Sequence, residues 1–174
     1  MKQYSTRLAA IHWLTLLLFI TAFYLGHELD ETEAAASKMA LYPYHFIIGD
    51  LVLILTLIRT YFLRKDSKPA PIAGGSAIAN KVAVGIHHLL YVLLIALPVS
   101  GMVMINTTGV VTALQAHDAS KLPDLEKFAI HEVHAAIVAI IMLTIALHVV
   151  AALYHQFVLK DNLIRRMAMK RYED

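Results

Sequence analysis

Four histidines fall inside stretches of this chain that are otherwise strongly apolar: His12, His45, His134 and His148. His134 and His148 lie fourteen residues apart on one such stretch. At about 100° per residue that spacing returns to within roughly 40° of the same helix face, and it separates the two rings by about 21 Å along the axis. One helix therefore offers two imidazoles to one side, near opposite faces of a hydrocarbon layer roughly 30 Å thick. Two further helices each offer one. Imidazoles paired at two levels of a membrane are the ligand set for two noncovalent b-type haems that carry electrons across it. The bland alternative is interior histidines that bond backbone carbonyls or line a polar path.

Depth suggests the pairs. His45 follows the point where the second apolar run enters from one side, and His134 follows the entry of the fourth run from that same side. His12 opens the first run on the opposite side, and His148 lies toward that end of the fourth. Gly49, one turn beyond His45, leaves room for a flat macrocycle or serves close helix packing. Arg59 suits a haem propionate or snorkels to headgroups. His155, seven residues past His148, is placed for a quinone or propionate, or for lipid headgroups. Adjacent His87 and His88 diverge by about 100°; His87 is the reserve ligand if His12 does not serve. Asp50 is an acid inside an apolar run, expensive in lipid; it is protonated, faces polar groups in the bundle, or belongs to a proton path, and the residues do not choose among these.

The elements that must position these residues are helices. The 174 residues are 59% hydrophobic and 16% charged, with mean hydropathy +0.62, whereas soluble domains carry about 25% charge. Four apolar runs, approximately residues 8–27, 42–64, 82–106 and 128–159, each reach the ~20 residues a membrane helix needs. An all-α, four-helix membrane bundle with two stacked haems and a basic tail at 160–174 accounts for residues 1–174 as one domain. The first run carries His12 and Trp13 at its start and lacks a small-residue cleavage site, so it reads as a retained helix. Four crossings put both termini on one side. Twelve of the 15 basic residues fall there, against Lys38, Lys121 and Lys127 on the other; both termini are expected to be cytoplasmic. The outer loops are expected at Glu28–Met39, whose alanines can extend a helix end, and at Asn106–Lys127, with a short helix near Val110–His117. The inner linker is Lys65–Gly75, and the tail suits an amphipathic segment on the inner membrane surface. Without cysteine, thiolate and covalent c-type haem attachment are excluded. No basic groove suggests nucleic acid.

The segments YSTRLAAIHW, YHFIIGD, IRTYFLR, HHLLYVLLIALPVSGMVM, HEVHAA and IALHVVAALYHQFVLKDNL together resemble the bacterial cytochrome b561 family of small dihaem inner-membrane cytochromes. The resemblance spans nearly the whole chain apart from the loops. It implies one haem b on His12 with His148 and another on His45 with His134, each held noncovalently. It also implies exchange of electrons with ubiquinone, and, in the nearest group, oxidation of superoxide at the outer face. Asp50 departs from the apolar residue expected there. The assigned outer segments hold Glu28, Asp30, Glu31, Glu33, Asp118, Asp124, Glu126 and Glu132 against three lysines, a field that repels an anion unless Lys121 or Lys127 stands over the outer haem. Two other readings remain: a haem-bearing anchor for a dehydrogenase, and a histidine-lined proton or metal transporter. Oligomeric state is not legible from the residues.

Overall fold

The computed structural model describes residues 3–67, 69 and 77–170. Four helices are long and apolar enough to cross a membrane: α1 (Thr6–Glu31), α2 (Ala35–Lys65), α3 (Ala77–Thr107) and α5 (Ala129–Tyr154), the last continued by a π-helical turn, His155–Leu159. A short helix α4 (Val110–Gln115) lies between α3 and α5. Among the described residues no strand occurs. The chain is an all-α bundle with four membrane-spanning helices.

The outer loop expected at Glu28–Met39 is a correction. Only Thr32, Glu33 and Ala34 separate α1 from α2. Acidic residues and alanines continue the helices beyond the apolar stretch, where each further turn satisfies its own backbone groups. The short helix near Val110 does form. Gly109, at φ 94, adopts the left-handed conformation that lets the chain turn from α3 into α4. Val110 and Ala113 are then buried, Val110 against Leu29 and Tyr42, closing the outer end of the bundle.

The end of the bundle that carries both termini, expected to be the inner one, is tied by polar contacts. The Ser5 side chain caps α1 by accepting from Leu8 N–H at 3.4 Å. Ser5 and Arg7 both donate to Asp66, the residue that ends α2. The Arg7 bond, then the Ser5 bond, hold the Asp66 carboxyl down to about 2, so it stays ionised and joins α1 to the end of α2 at neutral pH. The start of the tail is bonded to the first helix. Trp13 Nε1 donates to the Met167 carbonyl at 2.8 Å, and Tyr4 N–H to the Arg166 carbonyl at 3.0 Å, so the turn Leu163–Met167 is folded against α1. Of the inner linker, only Lys65–Ser67 and Pro69 fall within the described residues.

The packing order is α1 on α2, α2 on α3 and α3 on α5. A central apolar layer takes one residue from each spanning helix: Phe19, Val52, Leu93 and Ile141. Phe19 follows His12 by seven residues, Val52 follows His45 by seven, and Ile141 stands seven from both His134 and His148. The layer is therefore midway between the two histidine levels, about 10 Å of helix from each.

Candidate functional site: two histidine pairs in the bundle

Each pair is brought together across the bundle. The His45 and His134 rings lie 6.5 Å apart, centroid to centroid, and the His12 and His148 rings 6.4 Å apart. Two imidazoles on opposite sides of one metal ion need two metal–nitrogen bonds of about 2.0 Å plus the ring radii, roughly 6.3 Å between centroids. Both pairs fit that span. The helices carrying them are not otherwise in close contact: α5 packs along α3, not along α1 or α2. At Gly49 a Cβ would meet nothing within 4 Å, so no other group of the bundle closes on that position. Among the described residues there is no group of three or more His, Cys, Asp or Glu side chains suited to a bare metal ion. Two donors per site match a metal whose remaining ligands come from a macrocycle.

The outer pair is held in a defined tautomer. His45 Nδ1–H donates to the Ala22 carbonyl at 3.0 Å. Ser100 spends its hydroxyl proton on the Leu97 carbonyl at 2.7 Å, so its oxygen accepts from His134 Nδ1–H at 2.8 Å. Both rings thus keep the Nε2 lone pair for a metal, with orientation fixed by the bond at the other nitrogen. Gly26 makes space for His45, while a Cβ at Gly101 would be in ordinary contact with His134. A Cβ at Gly26 would stand 3.0 Å from His45 Cε1, and one at Gly101 3.5 Å from His134 Cε1.

The inner level is richer. Arg59 Nη1 donates to His12 Nδ1 at 2.6 Å, while Arg59 Nε is buried without a hydrogen-bond partner among the described residues. A buried guanidinium with a spare donor calls for an anion. Its carbon also lies 5.8 Å from the centre of the Tyr91 ring. His87 Nδ1 donates to its own helix at Ala83, 2.6 Å away, and its ring stands 5.1 Å from that of His148. That separation is too short for the two rings to face each other across one metal, so His87 is a neighbour of this pair and not an opposed partner. Thr15, Thr56 and Thr144 are buried nearby, each spending its hydroxyl on the carbonyl four residues back at 2.7 Å. Below them His155 Nδ1 lies 2.5 Å from Asp161 Oδ2.

Sequence reasoning missed Ser100, Gly26, Gly101, Tyr91 and Asp161. A serine inside an apolar run was a readable signal; the glycines needed knowledge of which helix faces them. Of the alternatives open for Asp50, the one that faces it toward polar groups in the bundle is corrected: its side chain is exposed on the outside of α2. Asp50 is five residues from His45, about 140° around the helix, so it turns away from the bundle. At the outer mouth, Lys121 pairs with Asp118 at 3.1 Å and Lys127 with Asp124 at 3.2 Å. Bonds from Ser120 and Lys121 hold the Asp118 carboxyl below its usual range. The two lysines expected to draw in an anion are each paired with a neighbouring carboxylate.

A family model described as prokaryotic cytochrome b561 matches residues 3–170. A protein named cytochrome b561 homolog 1 from Escherichia coli is 28% identical over 176 residues, covering 98% of this chain and 99% of the relative. A probable superoxide oxidase CybB from Yersinia pestis is 31% identical over 175 residues, covering 98% of each. A cytochrome b562 from Cereibacter sphaeroides is 28% identical over 176 residues, covering 97% of this chain and 96% of the relative.

The glycine contacts make a direct prediction. If each histidine pair holds one haem, Gly26→Val should push His45 out of line and remove about half of the reduced-minus-oxidised haem absorbance. Gly85→Val, whose Cβ meets nothing within 4 Å, should leave the spectrum intact. Equal spectra for both variants would show that the His45 ring has no need of the space at Gly26.

Proposed function

The chain belongs to the prokaryotic cytochrome b561 family, multi-pass membrane proteins of electron transfer that carry haem b, and we propose that it is a dihaem carrier of the bacterial inner membrane. It takes electrons from superoxide at the outer face and passes them to ubiquinone near the inner face. The observation that carries the dihaem reading is the pair of 6.4 and 6.5 Å imidazole separations at two levels of one helix; superoxide as donor is supported by the relative named probable superoxide oxidase. Haem supplies the one-electron chemistry when bound; the residues hold, orient and insulate it.

His45 and His134 hold the outer group, and His12 and His148 the inner one. The Ala22 carbonyl and Ser100 keep the outer imidazoles in the metal-binding tautomer. Arg59 bonds a propionate at the inner level, which frees His12 Nδ1 from the guanidinium. Phe19, Val52, Leu93 and Ile141 exclude water between the levels. His155, oriented by Asp161, leaves Nε2 as the ring nitrogen available to a quinone oxygen. Reduction of the quinone takes two electrons and two protons, and the inner end lies beside the cytoplasm if both termini are there, as the basic residues favour.

Ligand variants test the assignment. His45→Ala and His134→Ala should each remove one spectral component, while His12→Ala and His148→Ala remove the other, with the untouched component kept near full amplitude. Loss of both components from every variant, or an intact spectrum for His12→Ala, would defeat the pairing.

The ion pairs at Lys121 and Lys127 favour a second reading, a haem-bearing anchor that receives electrons from a dehydrogenase subunit. Salt separates the two. If superoxide is the donor, quinone reduction in proteoliposomes should speed up as ionic strength screens the acidic rim. A rate that falls with salt would mean a positive local field, and no superoxide-driven reduction would leave the anchor reading.

A further inference from the structure

The outward face of α2 is a stripe of Tyr44, Ile47, Leu51, Ile54, Ile58 and Tyr61, all exposed and spaced by three or four residues. α1 and α3 pack on the rest of this helix. Asp50 sits halfway along the stripe, on the edge nearest Ile54 and Tyr61. It is fifteen residues from either end of Ala35–Lys65, about 22 Å of helix each way. Its side chain is exposed and makes no hydrogen bond or ion pair among the described residues. A carboxyl on the lipid face at mid-depth is in the least favourable place the bilayer offers. The bundle gives it no role: it faces away from both histidine levels.

We propose that this stripe is the interface of a symmetric homodimer, in which the Asp50 carboxyls of two copies bond each other across the twofold axis. Two arguments select a second copy as the occupant. A carboxyl in its acid form both donates and accepts, so it is complementary to itself. Depth gives the other. The lopsided distribution of Lys and Arg inserts every copy in one direction, so a twofold axis relating two copies runs along the membrane normal and preserves depth. Asp50 then meets Asp50 without further adjustment, as a self-complementary contact requires. A different membrane partner would need its own polar group at that level. Polar side chains bonded between helices are a recognised source of association in lipid, where apolar contact alone gives little drive. The inference stands apart from the haem assignment, because the stripe and the histidines lie on different faces of α2.

The chain contains no cysteine, so single cysteines report contact cleanly. In vesicles of the full-length protein, Ile47→Cys and Ile54→Cys, one turn either side of Asp50, should form disulfide-linked dimers under mild oxidation. Leu143→Cys, on the lipid face of α5 and 63% exposed, should not. Adding Asp50→Leu should lower the cross-linked fraction roughly three- to tenfold. Asp50→Asn, which also donates and accepts, should retain it. Helical circular dichroism shows whether each variant is folded. The proposal is overturned if Ile47→Cys and Ile54→Cys stay monomeric, if Leu143→Cys cross-links as well, or if Asp50→Leu has no effect. A cross-link to a different protein in native membranes would overturn it too.

Discussion

Close to four turns of α5 separate His134 from His148, and the other helices are arranged to meet them. A single rigid helix thereby sets both the height of each site and the distance between sites. α2 answers His134 with His45, and α1 answers His148 with His12, at 6.5 and 6.4 Å. Helices bearing facing imidazoles cannot also pack tightly at those levels. The bundle therefore takes its close contacts elsewhere, between α1 and α2, α2 and α3, and α3 and α5.

Burying imidazoles in an apolar bundle requires that each ring nitrogen have an assigned task. At the outer level, carbonyl and hydroxyl acceptors take the Nδ1 protons and leave Nε2 as donor atoms. At the inner level Arg59 brings a positive charge with a spare N–H, and the chemistry that satisfies it is anionic. The two levels thus differ in charge although they share a ligand type. That difference is the kind that separates two redox potentials in one protein. Between them, a four-residue apolar layer keeps the levels distinct.

Much of this was legible in the residues. Four apolar runs of spanning length, with histidines at matching depths, point to an all-α membrane bundle and to both pairs before any coordinates. The details that failed were tertiary or electrostatic. Gly26 has meaning only because His45 comes from the neighbouring helix, and Ser100 only because His134 lies across from α3. The acidic loop after Glu28 dissolved into helix, since alanine and glutamate extend helices readily once beyond the hydrocarbon. Asp50 was left open among three alternatives, because the usual rule that membrane carboxylates face inward competes with its place on the helix. Its 140° offset from His45 was available from helix geometry alone, and it points to the lipid.

The central claim is that four histidines of this chain hold two haems. Its most direct test is the number of haem groups per polypeptide in the purified, fully loaded protein, measured with the spin state of the iron. The account requires two noncovalent b haems per chain, both low-spin with two imidazole ligands. One haem per chain, none, or a high-spin site with a single imidazole would contradict it.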